Sequence, residues 1–393
     1  MRLPLLLIVP VIIICILVDY VIRHRLIHSR LRYPWAYIHT GVSVSLVGLL
    51  IGILFIPLKD SGGDVIECLM WFLYSYLTIY VPKLAYCIFY GISELVFKIK
   101  HRRVKALEVT GIFVAAGIFI LLWSGVFNRN NIIVKAVNLT YKDLPKGLDG
   151  LSIVQISDLH VGTWGNDTVF VSRLVGHIND LNPDIIVFTG DIVNRESSEL
   201  EPFIAPLGRL KARYGVYSIM GNHDYGDYKE WSSDSSKQAD VQRLKDMQEA
   251  MGWHMLNNTH RLIEINNDTL CLIGVENIGD PPFHTYGDLG KAYPTLGDKR
   301  FKILLSHNPA HWHKDLRGQQ DKNISLTLSG HTHAMQIKIL GWSPAAYRYD
   351  EWSGLYHDGY GHDLYVNDGC GTVGIPARIG ATPEITLFKL SRQ

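Results

Sequence analysis

Eight residues of this chain are of the kinds that hold divalent metals or move protons, and each comes shortly after an apolar run. Asp158 and His160 follow the run 151–156, Asp191 follows 185–188, and Asn222 and His223 follow 215–220. His307 follows 301–305, while His331 and His333 follow 324–328. Carboxylate oxygen, amide oxygen and neutral imidazole are ligands for zinc, manganese or iron. The set exceeds what one metal needs and suits two metals that share a ligand. Such a pair sits about 3.5–4 Å apart and clamps an oxyanion and a water. One carboxylate bridges that gap, and Asp191, just after Gly190, is the natural candidate. Taken singly, an Asp-x-His or a Gly-Asp is common, and a lone histidine reads as a satisfied core residue. Five strand ends finishing alike carry the inference. In Gly221-Asn222-His223-Asp224, Gly221 is expected to allow a backbone geometry other residues resist.

To gather these residues, the second two thirds of the chain must alternate strand and helix, with the polar groups at the carboxyl ends of core strands, where α/β folds place chemistry. Strands are expected at 132–139, 151–156, 185–188, 215–220, 301–305, 324–328, 335–340, 364–367 and 384–390, with a hairpin of 261–265 and 269–275 around Asn266-Asn267-Asp268. Phe170, Leu174 and Ile178 mark one face of a helix over 167–180, and helices are also expected over 201–212 and 239–251. The polar stretch 225–237 reads as a loop over the site, where Tyr228 and Trp231 either pack or meet an acyl chain.

The first third is of another kind. The 393 residues have a mean hydropathy of +0.09, and the apolar excess lies before residue 130. Runs near 3–22, 36–58, 65–97 and 106–127 are each about the ~20 residues that cross a bilayer, or longer. Pro82-Lys83 interrupts the third, which reads as one long helix or a span with an interfacial extension, two crossings being the lesser alternative. Arg23, Arg25, Arg30 and Arg32 follow the first run, and Lys98, Lys100, Arg102, Arg103 and Lys105 follow the third. The positive-inside rule places both basic loops in the cytoplasm, so four spans leave the remainder of the chain outside. Asp19, Glu67, Glu94 and Glu108 all lie near the ends of their runs, which leaves Lys83 as the main intramembrane charge and makes an anchor the favoured role. A net charge of +1 with pI 7.7 gives no reason to expect nucleic-acid binding. Five cysteines without a CxxC exclude a zinc knuckle, and Cys271 and Cys370 could pair only if the fold brought them together. The resulting division is a membrane domain over 1–127, a linker and first strand over 128–149, and a catalytic domain over 150–393.

The ordered blocks Asp158-x-His160, Gly190-Asp191, Gly221-Asn222-His223-Asp224, His307 and Gly330-His331-Thr332-His333 resemble the calcineurin-like metallophosphoesterases over residues 150–390. The tail, from Gly371-Thr372-Val373 through Pro376-Ala377-Arg378 to Pro383-Glu384-Ile385-Thr386, is similar to the membrane-anchored or exported bacterial phosphoesterases related to UDP-2,3-diacylglucosamine pyrophosphatase. The resemblance implies N-terminal transmembrane helices followed by a four-layer α/β/β/α sandwich. It implies one divalent metal (Mn, Zn or Fe) on Asp158, His160, Asp191 and His333, and a second on Asp191, Asn222, His307 and His331. His223 would be the proton donor or charge stabiliser at the phosphate, with Asp224 holding its orientation. The second block departs from the family at Asn194, where a carboxylate is frequent, which bears on a supporting contact.

The expected function is hydrolysis of a phosphomonoester, phosphodiester or pyrophosphate, lipid-linked or soluble, by a metal-bridging hydroxide at a bacterial plasma membrane, with the catalytic domain in the periplasm. The alternative is a membrane transporter or sensor whose outer domain binds metal or ligand without turnover. It predicts polar residues deep in the spans, and it leaves His223 and Asp224 unexplained.

Overall fold

The computed structural model describes all residues except 1–4, 28–32, 103, 280–283, 296 and 320–321. Leu3, Arg30, Arg32 and Arg103, which enter the span and orientation reading, lie outside the described residues. The chain divides into two units, Met1–Val126 with Gly374–Pro376, and Phe127–Val373 with Ala377–Gln393.

The first unit holds helices α1 (Leu5–Val21), α2 (Tyr33–Ile53), α3 (Gly63–Lys100) and α4 (Lys105–Asn128). Three of them, α2, α3 and α4, are long and apolar enough to cross a membrane. α1 has 17 residues and is continued by a π-helical stretch, Ile22–Ile27. The third run is a single helix of 38 residues with Pro82 inside it, so it does not divide into two crossings. At 1.5 Å per residue it is about 57 Å long, nearly twice the ~30 Å apolar slab. Lys83 is not a lone charge: its Nζ donates to Asp19 Oδ1 at 2.8 Å, and Tyr80 OH donates to Asp19 Oδ2 at 2.7 Å.

The second unit is built on two six-stranded mixed sheets. Sheet one holds β1 (Ile133–Tyr141), β2 (Ser152–Ile156), β3 (Ile185–Phe188), β4 (Val216–Ser218), β5 (Trp253–Met255) and β12 (Glu384–Arg392), in the order β1-β12-β2-β3-β4-β5. Sheet two holds β6 (Thr259–Ile265), β7 (Asp268–Gly274), β8 (Phe301–Leu305), β9 (Leu326–Ser329), β10 (Gly354–His357) and β11 (Asp363–Val366), in the order β10-β11-β9-β8-β7-β6. Strands β2, β3 and β4 run parallel, as do β7, β8, β9 and β11.

Alternation along each strand makes the layers, because successive side chains point to opposite faces. Ile153, Val187 and Tyr217 of sheet one meet Leu272, Ile303 and Leu328 of sheet two in a core between the sheets. Val154, Ile186 and Phe188 point the other way, onto Phe170, Leu174 and Ile178 of helix α5 (Val169–Asp180) and Leu244 of helix α6 (Asp234–Ala250). Beyond sheet two, Ile273, Leu304 and Leu364 pack on Trp312 and Leu316 of a π-helical turn. Helix, sheet, sheet and helical turns are thus the four layers that the sequence implied.

Several elements differ from expectation for local reasons. Over 201–212 the chain forms the 3₁₀ stretch Ser197–Phe203 and the single turn Ile204–Leu207, because Pro202 and Pro206 cannot donate to a helix ladder. Residues 335–340 form no strand: Ala334, Met335 and Gln336 take φ of 49°, 46° and 57°, and Ile337 contributes only isolated bridges. The end of the 225–237 loop is already helix α6, started at Ser233, whose Oγ accepts from the Ser236 amide at 3.1 Å. The hairpin turns at Asn266 and Asn267, both left-handed (φ 49° and 67°), which suits a tight two-residue turn. Cys271 and Cys370 are buried free thiols.

Candidate metal centre

The parallel strands β2, β3, β4, β8 and β9 end at Ile156, Phe188, Ser218, Leu305 and Ser329, and every candidate ligand lies within four residues of one of these ends. The sharp turns leave Asp158, His160, Asp191, His331 and His333 with φ of 53°, 43°, 61°, 73° and 49°. Left-handed backbone at non-glycine residues costs energy and gathers at functional sites. Gly221 has a different reason from the one expected. Its φ of −96° and ψ of −176° are open to any residue. A Cβ there would overlap the Asp191 carboxylate, so glycine is needed for space.

The ligand atoms converge in two groups, Asp158–His160–Asp191–His333 and Asp191–His307–His331, each within 4.8 Å. In the first, His333 Nε2 lies 3.1 Å from Asp158 Oδ1 and 3.1 Å from His160 Nε2. In the second, Asn222 Oδ1 lies 3.1 Å from His307 Nε2 and 2.8 Å from His331 Nδ1. Asp191 belongs to both: its Oδ2 is 3.6 Å from His160 Nε2 and 3.2 Å from His307 Nε2.

Donor chemistry tests whether cations fit here. His307 Nδ1 donates to the Thr189 carbonyl at 2.7 Å, so its Nε2 turns toward two acceptors, Asp191 Oδ2 and Asn222 Oδ1. Only a proton or a metal reconciles them, and although burial opposes protonation, Asp191 lifts His307 to about 9. Burial keeps His160 well below its usual range and lowers His331 to about 4, which leaves both neutral, the form that binds metal. Asp158 and Asp191 are buried, yet the surrounding imidazoles outweigh burial and hold both carboxyls far below the usual range. The residues present therefore fit two divalent ions.

His223 and Asp224 part company with the implied arrangement. His223 Nδ1 donates to the backbone carbonyl of Asn194 at 2.7 Å, and it is this contact, not Asp224, that orients the ring. The Asp224 carboxylate instead accepts backbone amides of Asp191 (2.8 Å), Ile192 (2.9 Å), Val193 (3.3 Å) and Gly221 (2.9 Å), tying the turn after β3 to the turn after β4. Asn194, where the family pattern is broken, thus contributes through its main chain, while its amide donates to Thr163 Oγ1 at 3.0 Å.

Three neighbours were not singled out from the sequence as parts of the centre. Tyr228 OH accepts from Asn222 Nδ2 at 2.8 Å, and its ring stacks on His223 at 3.9 Å between centroids. Tyr349 OH meets His331 Nε2 at 2.9 Å. Arg378, fully buried, donates to the carbonyls of Gly371, Asp368 and Ala381 and reaches within 3.3 Å of His333 Nδ1. Tyr228 packs on His223, and Trp231 Nε1 donates to the Gly226 carbonyl.

Comparison with known proteins points to one family. The family model described as Calcineurin-like phosphoesterase matches residues 151–335. A Danio rerio transmembrane protein with metallophosphoesterase domain is 34% identical over 266 residues, 65% of this chain and 56% of its own length. The uncharacterized metallophosphoesterase YkuE of Bacillus subtilis is 32% identical over 255 residues, 63% of this chain and 81% of its own. The chain spans only 56% of the length of the fish relative and of its Bos taurus counterpart. Among solved structures, a dimetal phosphatase from Danio rerio is 13% identical with a TM-score of 0.34, over 57% of this chain and 90% of that one. The chain belongs to the calcineurin-like metallophosphoesterases.

Proposed function

We propose that the protein is a membrane-anchored two-metal phosphoesterase. The observation that carries this reading is the shared carboxylate: Asp191 Oδ2 faces both His160 and His307, one from each ligand group. When bound, such a pair of divalent ions lowers the pKa of a water and takes up charge on the phosphoryl oxygens. Asp158, His160 and His333 would complete one ion's shell with Asp191; Asn222, His307 and His331 would complete the other's. His223 donates its Nδ1 proton to the Asn194 carbonyl, so Nε2 is the nitrogen that would carry a second proton to the departing oxygen when the ring is charged. Monoester, diester and pyrophosphate substrates all fit this chemistry.

Two further parts of the reading rest on the first unit. Its apolar helices support anchoring, and the basic loops support a catalytic unit on the outer face, where lipid-linked phosphates are near. Alkaline phosphatase, whose disulfides form only outside the cytoplasm, tests the orientation when fused after each helix; an inactive fusion after α4 refutes it. For turnover, the full chain loaded with manganese is expected to cleave an aryl phosphate or aryl phosphodiester. Asp191→Ala should lose both metals and fall to background. Unchanged turnover in that variant refutes the two-metal reading, and absence of turnover with metals bound favours a non-catalytic sensor.

A further inference from the structure

The Asp19 cluster lines a cavity between α1 and α2 of about 370 Å³, within the range of small-ligand pockets. Ionisable groups inside a membrane unit are costly and mark sites of function. Asp19 lies two residues before the end of α1, one turn before Arg23. Its carboxylate is already neutralised by Lys83 and Tyr80, both bonded to it from α3. The remaining charge on the wall is Arg23, which makes the cavity cationic.

A further polar atom on the wall, Ser43 Oγ, is available to a ligand. Ser43 is 8% exposed, and its Oγ is buried without a hydrogen-bond partner among the described residues. His39 Nε2 is also buried, and its neighbour is Asp19 Oδ1 at 3.5 Å. The other wall is apolar and open: Ile16 and Val44 are 52% and 67% exposed. A polar, cationic end and an open apolar side match an anionic amphiphile. We propose that this cavity binds one anionic glycerophospholipid, its phosphate held by Arg23 and Ser43 and its acyl chain lying along Ile16 and Val44. The site is separate from the metal centre and rests on the reading that the first unit lies in a bilayer.

The test uses the full chain in nonionic detergent, with native mass spectrometry after addition of phosphatidylglycerol or phosphatidylcholine. Phosphatidylglycerol should be retained preferentially. Removing one charge-assisted contact by Arg23→Gln should weaken retention about tenfold. Val47→Trp, which fills the cavity from its apolar wall, should expel the lipid while leaving phosphoesterase turnover unchanged. It decides the matter if Arg23→Gln fails to fold. Asp191→Ala should leave lipid binding intact. Equal retention of the two lipids overturns the proposal, as does undiminished binding in Val47→Trp. Displacement of the lipid by equimolar glycerol 3-phosphate also overturns it, since the acyl wall would then contribute nothing. Release of the chain from membranes by alkaline carbonate is a separate result, which removes the bilayer reading itself.

Discussion

Asn222 has its amide fixed in one sense. Nδ2 is committed to Tyr228 OH, so Oδ1 is the atom presented to His307 and His331. Tyr228 therefore acts on the second ion through Asn222. Tyr228→Phe is expected to weaken the second metal about 10- to 100-fold, the usual effect of losing a ligand's support, which metal titration would show. His223 touches neither ligand group by coordination in this reading. His223→Gln should lower kcat by about 10²–10⁴-fold with both metals retained; loss of metal would make it a ligand instead. The ligand types were readable from the chain because each follows an apolar run, and the structure gathers Asp158, His160, Asp191, His307, His331 and His333. The contact that orients His223 was not readable, because a backbone carbonyl carries no residue signature. Tyr228 and Arg378 stood in the sequence, but nothing there tied them to Asn222 or His333.

At the scale of elements, the short strands mattered less than the turns that follow them. The strands β3 and β8 coincide with their apolar runs, since a fully buried strand is apolar on both faces. The edge strands β5 and β10, three and four residues long, went unseen because so short a segment has no period to read. The turn after β3 is braced by Glu199 of the Ser197–Phe203 stretch, whose Oε2 accepts the amides of Asn194 (2.6 Å) and Arg195 (3.3 Å). Burial nevertheless pushes its carboxyl up to about 7, against those two amides. A raised folded pKa means the folded chain keeps its proton after the unfolded chain has released it. Stability from this group is then full below the unfolded value of about 4.5 and is lost as pH rises toward 7. The loss is at most about 3 kcal/mol. Glu199→Gln should flatten that part of the stability profile, as denaturant melts at pH 4.5 and 7 would show; an unchanged slope would place the titration elsewhere.

At the scale of the whole molecule, the two units separate near the composition change that the sequence displays, because apolar runs and alternating strands leave different marks over many residues. Long-range order inside the second unit leaves no such mark. Strand β1 pairs in parallel with β12 over nine residues, from Ile133 with Glu384 to Tyr141 with Arg392, and Lys135 bonds to Glu384. β12 is also the neighbour of β2, so the last strand of the chain is interior to the sheet. Deleting residues 384–393 should leave no folded second unit and no bound metal, whereas a truncated chain that still binds manganese would refute this.

The same strand order has a consequence in time. Thr140 and Ser391 are hydrogen-bonded across 251 positions, so the first sheet is incomplete until β12 has been synthesised. Loop closure over such a distance is slow. The ligand-bearing turns are made earlier, but they have no completed wall behind them until β12 arrives. Assembly of the catalytic unit therefore waits for β12.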